Sequence, residues 1–183
     1  MTTSNEYHFL SLCLLYPQAD LLPRLREIAT ATGQPWAGGM VETFAGESLE
    51  ALQIEHTRLF VNSIEGVPCP PYESAYVDGH LLTATTAAVA TFYEGWGLQQ
   101  ASETADYLPV ELQFMAYLLA LESEAEDAQA IEMARRQFES EHLLRWLPRF
   151  AADLQQHTRI SFYQKTGERL ALLAQKLSTH HSD

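Results

Sequence analysis

Leu108 to Leu121 is apolar on two helical faces at once. Leu108, Leu112, Met115 and Leu119 form one stripe, and Val110, Phe114, Tyr117 and Leu121 form the other. A helix greasy on both sides must be covered on both sides, which makes it a central element with other helices around it. Pro109 is compatible with that helix because it falls in the first turn, where its missing N–H has no intrahelical partner to lose.

The remaining segments carry the same period. Tyr7 to Tyr16 is apolar nearly all round, with Ser4 and Asn5 as N-cap oxygens and Pro17 as the stop. A second helix is predicted from Asp20 to Thr32, closed by Gly33, and Pro35, Gly38 and Gly39 then mark a loop. Glu47 to Asn62 has Leu49, Leu52, His56, Leu59 and Phe60 on one stripe. Ser63 to Asp78 holds three closely spaced prolines and Gly66, so it is read as a long irregular segment. Further helices are predicted over 81–96, 128–141, 142–156 (kinked or restarted at Pro148) and 158–177. A polar loop is expected over 101–106, and a frayed tail over 178–183. No segment alternates with period two. The expected fold is therefore all-α: seven to nine helices in one domain spanning 1–183.

With 24 acidic against 11 basic side chains, the formal charge is −13. That balance argues against nucleic acid and against an anionic membrane surface. It suits a cationic partner, and it also serves plain solubility. No apolar stretch is long enough to span a bilayer, and no secretory signal is legible at the N-terminus. Cys13 and Cys69 form neither a redox nor a zinc spacing, which fits a reducing cytoplasm; Cys13 reads as buried and Cys69 as an accessible loop thiol. Phosphate loops, nucleophile elbows and His-Glu-x-x-His motifs are absent, so no catalytic residue is assigned and no cofactor is expected. Glu139 and His142 make half of a carboxylate-bundle metal motif without its second half, and no metal site is assigned.

Three short pieces remain. They are His56-Thr57-Arg58-Leu59-Phe60, Pro70-Pro71-Tyr72-Glu73-Ser74-Ala75-Tyr76 and Glu103-Thr104-Ala105-Asp106-Tyr107. Together with Glu141 to Pro148, they follow the order and spacing of the TorD/DmsD/NarJ family of molybdoenzyme maturation chaperones, which the chain resembles over most of its length. His56 stands where that family has an aromatic residue. Tyr107 stands where one branch has histidine and resembles the Asp-Tyr-Leu-Pro of the NarJ side. The resemblance implies a cytoplasmic chaperone that binds and does not catalyse. Its partner would be the twin-arginine signal peptide, or the apo form, of a molybdenum oxidoreductase catalytic subunit. It would assist cofactor insertion and delay export. The alternative it leaves open is an assembly factor that docks on the mature apoenzyme. A monomer is the default, with a homodimer open. The implied peptide groove takes Leu59, Phe60, Pro71, Tyr72, Tyr76 and Tyr107 as its walls. Glu73, Glu103 and Asp106 supply charge to it, and Ser74 a hydrogen bond. Read from the residues alone, Asp106 serves equally well as the N-cap of the following helix, and Glu111 is read as meeting a partner or solvent.

Overall fold

The first helix sets the centre of the molecule. In the computed structural model, which describes residues 3–64, 66–99 and 104–180 (backbone alone at 180), α1 spans Ser4–Cys13. Thr3 is its N-cap: its hydroxyl accepts the Glu6 N–H while the Glu6 carboxylate takes the Thr3 N–H. This capping box starts the helix one residue before the predicted oxygens. Tyr7, Phe9, Leu10, Leu12 and Cys13 point to different sides, and all are buried. Each such side chain contributes about 1.5–3 kcal/mol relative to an exposed one.

Around α1 lie α2 (Leu21–Thr32), α7 (Leu108–Glu124) and α10 (Ser161–His180). Gly33 closes α2 in the left-handed region at φ 65°. Two hydroxyls fasten α1 to α7: Ser4 Oγ donates to the Ala116 carbonyl at 2.7 Å, and Ser11 Oγ to the Pro109 carbonyl at 2.9 Å. The doubly apolar helix is thus central, as its pattern requires.

The other elements are α3 (Pro35–Ala45), α4 (Leu49–His56), α5 (Glu73–Val77), α6 (Ala84–Glu94), α8 (Gln129–Phe138) and α9 (Leu144–His157). Nine helices of eight residues or more and one short helix, α5, are found among the described residues, with no strand. The fold is all-α. Two expectations for loops are corrected. Pro35 opens α3 at a position that needs no N–H, and Gly38 and Gly39 lie inside that helix. Burial of Ala37, Met40, Val41 and Phe44 offsets the glycine penalty of about 1 kcal/mol each. The segment after the prolines is not irregular throughout, because it winds into α5. At the far end, α10 continues through residues 178–180, where fraying was expected, with the Ser178 hydroxyl bonded to the Ala174 carbonyl; residues 181–183 lie outside the described part.

Two π turns interrupt the helices, at Thr57–Val61 after α4 and Glu139–Leu143 before α9. Each carries one of the motif pieces, and such turns are frequent at functional sites. Helix α9 passes through Pro148, which is exposed; the carbonyl that a proline N–H cannot serve is that of Leu144, the first residue of α9.

Helices α9 and α10 approach closely at Gly167. A Cβ there would meet Gln155 Cγ at 2.8 Å and the Ala151 carbonyl at 3.1 Å. Gly167→Ala is expected to destabilise the protein by about 1–3 kcal/mol, the cost of overpacking, despite alanine's better helix propensity. A thermal melt checks it, and an unchanged or raised midpoint would show that the helices part freely.

Candidate functional site

The proline-rich piece and the acidic piece meet. The Leu108 N–H donates to the Pro71 carbonyl at 2.9 Å, and the Glu73 N–H donates to the Asp106 carbonyl at 3.0 Å. Tyr72 and Tyr107 thereby form an isolated antiparallel bridge, with their ring centroids 5.3 Å apart. The seam holds the start of α5 against the start of α7. Pro71 is buried beneath it, while both tyrosines are half-exposed.

Under the seam lie carboxylates. Asp106 is 1% exposed, and its Oδ2 accepts the Ser74 N–H at 2.9 Å. The N-cap residue of α7 is Tyr107, so Asp106 does not cap its own helix; it satisfies an orphan donor in the first turn of α5 instead. Glu73 is fully buried: its Oε2 pairs with His142 Nδ1 at 2.9 Å, and its Oε1 lies 3.6 Å from the Arg145 guanidinium. Glu111 is likewise fully buried, contrary to the reading that placed it at a partner or in solvent. It accepts Trp146 Nε1–H at 3.3 Å. Burial pushes the Glu111 carboxyl well above the usual range, the charges of Glu73 and Asp106 push it further, and the Trp146 N–H opposes them. Ser74 Oγ and Glu111 Oε1 have no protein partner among the described residues.

The other predicted groove residues fall on a neighbouring wall of the core. Leu59 and Phe60 lie on the first π turn and are buried. The Phe60 ring packs 4.9 Å from His56 and 5.5 Å from Tyr163. His56 fills the family's aromatic position as an aromatic would. Burial lowers its pKa to about 4, against the weaker effect of its hydrogen bond to the Leu14 carbonyl, so the ring is neutral near pH 7. Tyr76, on α5, is largely buried against Trp146; its hydroxyl donates to Asp153 at 3.0 Å, and Arg149 lies over its ring. Glu103 lies outside the described residues. Cys69 is buried, not accessible; its N–H donates to the Leu59 carbonyl, and burial pushes its thiol up to about 12. Glu139 pairs with Arg135 while His142 pairs with Glu73, so the half-motif is divided between two partners. No group that could hold a metal ion occurs among the described residues.

The structure thus brings Pro71, Tyr72, Glu73, Ser74, Asp106 and Tyr107 together and leaves only the two tyrosines of that set open to solvent. Sequence reasoning missed His142, Trp146 and Arg145 as the partners of the buried acids. It also misplaced Glu111, although a lone acid inside a doubly apolar run was a usable signal.

Comparison with known proteins identifies the family. The family profile described as nitrate reductase delta subunit matches residues 18–152. The chain belongs to that family, the NarJ/TorD group of redox enzyme maturation proteins. It is 28% identical over 141 residues to the perchlorate reductase assembly chaperone protein of Dechloromonas aromatica, covering 68% of this chain and 63% of that one. It is 32% identical over 117 residues to the chaperone protein TorD of Actinobacillus succinogenes, covering 61% of this chain and 55% of that one. For a TorD of Vibrio cholerae the identity is 32% over 109 residues, covering 56% and 49%. The chain therefore spans between about half and two thirds of the length of these curated relatives. A crystal structure from Archaeoglobus fulgidus, provisionally assigned as a redox enzyme maturation protein, superposes with a TM-score of 0.68 at 25% identity, covering 100% of this chain and 96% of that one. No helix among the described residues is long and apolar enough to cross a membrane.

Proposed function

We propose that this protein is a cytoplasmic binding chaperone for the catalytic subunit of a molybdenum oxidoreductase. It recognises the subunit's twin-arginine leader, holds the subunit for cofactor insertion and delays its export. It performs no catalytic step. The observation that carries this reading is the seam: two motif pieces separated in sequence are bonded backbone to backbone, and two amphipathic rings stand open above them. Tyrosine suits such a site because it offers a large apolar face with a polar tip at little entropic cost. In this proposal Tyr72 and Tyr107 touch the peptide. Leu59, Phe60, Pro71, Glu73, Ser74, Tyr76 and Asp106 position the seam from below, and Glu103 enters on its motif alone. The net charge of −13 speeds the approach of an arginine-bearing segment.

Tyr72→Ala is expected to weaken binding of a synthetic twin-arginine leader, taken from an oxidoreductase encoded beside this gene, by about 1–3 kcal/mol, the range for an aromatic anchor. Titration calorimetry reads it. Unchanged affinity in a folded variant would remove the seam from the site.

The second reading, an assembly factor that docks on the mature apoenzyme, is favoured by one feature: the Asp106-Tyr107-Leu108-Pro109 order. Equal affinity for the catalytic subunit with and without its leader would select it.

A further inference from the structure

The outward face of α7 carries two hollows that share two lining residues. One, of ≈ 280 Å³, lies between α6 and α7 and is lined by Tyr93, Leu98, Phe114 and Tyr117 together with Val110 and Gln113. The other, of ≈ 340 Å³, lies between α2 and α7 and is lined by Tyr16, Asp20, Arg24 and Tyr107 together with the same Val110 and Gln113. Val110 and Gln113 therefore stand between the two hollows, and the path from one to the other crosses α7 over them. Its ends differ in chemistry. The first end is mainly aromatic and aliphatic, with Gln99 and Gln113 beside the rings and no charged side chain among its described lining residues. The second ends on the Asp20 carboxylate and opens at Tyr107, one half of the seam.

Asp20 is held only loosely. Its side chain is 64% exposed, and Arg24 stands 3.6 Å away with its own side chain 47% exposed. An exposed pair of this kind is worth no more than about 1 kcal/mol. An incoming guanidinium can displace Arg24, since it binds a carboxylate through two parallel hydrogen bonds.

We propose that a segment with adjacent arginines followed by an apolar run lies across α7 in one direction, its arginines at the Asp20 end and its apolar side chains in the Tyr93–Phe114–Tyr117 hollow, with Val110 and Gln113 beneath its middle. This rests on the peptide reading given above and adds the path, the polarity and the residues of the second contact. The aromatic hollow supplies the burial that fixes the apolar end. The carboxylate end discriminates in favour of a basic residue, and the chain's overall charge does not oppose its arrival.

The polarity can be trapped. Cys13 and Cys69 are both buried, so an added surface cysteine is the accessible thiol among the described residues. Gln18 and Gln99 are exposed, one in each hollow, at opposite ends of this path. The probe is a synthetic peptide of two arginines followed by a leucine–alanine run, carrying a pyridyl disulfide at one end or the other. Gln99→Cys is expected to capture the peptide labelled at its apolar end, and Gln18→Cys the one labelled at its arginine end. Val110→Asp, with its fold verified by circular dichroism, is expected to weaken binding about tenfold or more, and Asp20→Asn about two- to fivefold. Capture without regard to end, or wild-type affinity in both affinity variants, overturns the path while leaving peptide binding at the seam in place. Failure of the wild-type protein to bind the peptide overturns both.

Discussion

Asp106→Ala is expected to lower the folding stability by about 2–4 kcal/mol, the sum of a lost charge-assisted hydrogen bond and a buried donor left unpaired. The carboxylate takes the Ser74 N–H at 2.9 Å inside the protein. With the midpoint moving by about 2–4 °C per kcal/mol in a chain of this size, a drop of about 4–16 °C should be read in a calorimetric melt. Asp106→Asn keeps an acceptor oxygen and should lose less. Equal, small losses for both would mean that the α5 turn is held by the backbone seam alone. The variant also sharpens what a peptide-binding assay means here. A weakened affinity in Asp106→Ala reports a loosened seam before it reports a lost contact, so Tyr72→Ala is the cleaner probe of recognition.

Glu111→Gln is expected to stabilise the protein progressively as pH rises. Burial first, and then the charges of Glu73 and Asp106, raise the folded-state pKa of Glu111 above its unfolded value near 4.3. The folded protein therefore keeps a proton that the unfolded chain releases. Stability from this group is fully present below about pH 4 and is lost as pH climbs toward the raised folded value, at up to about 1.4 kcal/mol per pH unit. Glutamine fills the same space, can still accept the Trp146 N–H, and does not titrate. The difference between the two melting curves, measured from pH 4 to 8, should widen with pH in favour of the variant. A constant difference would show that Glu111 ionises alike in both states.

The sequence made the helices legible wherever burial was strong and periodic. Leu108 to Leu121 announced a central helix, and Tyr7 to Tyr16 a buried one, because apolar side chains on several faces admit few other readings. Pro35 with Gly38 and Gly39 misled for a physical reason. Proline costs nothing at the first helical position, and two exposed glycines cost less than the burial of Met40 and Phe44 contributes. The three motif pieces were visible as residues, but their joining was not. Glu73 meets His142 across 69 positions and Glu111 meets Trp146 across 35, and no local pattern encodes such distances. Charged residues are almost never fully buried unless paired. Glu73, Asp106 and Glu111 were accordingly read toward the surface, when they belong to the interior that holds the seam. Tyr72 and Tyr76 were read the other way, as loop aromatics without a stripe to join; Tyr72 is half-exposed in the fold, but Tyr76 lies on α5 and is largely buried.

The seam divides labour by depth. What keeps it closed is main chain and submerged acid, and what faces outward is two phenol rings. In the proposed binding role, those rings and the residues rimming them can therefore be exchanged to suit a different client while the main chain and the buried acids go on holding the seam.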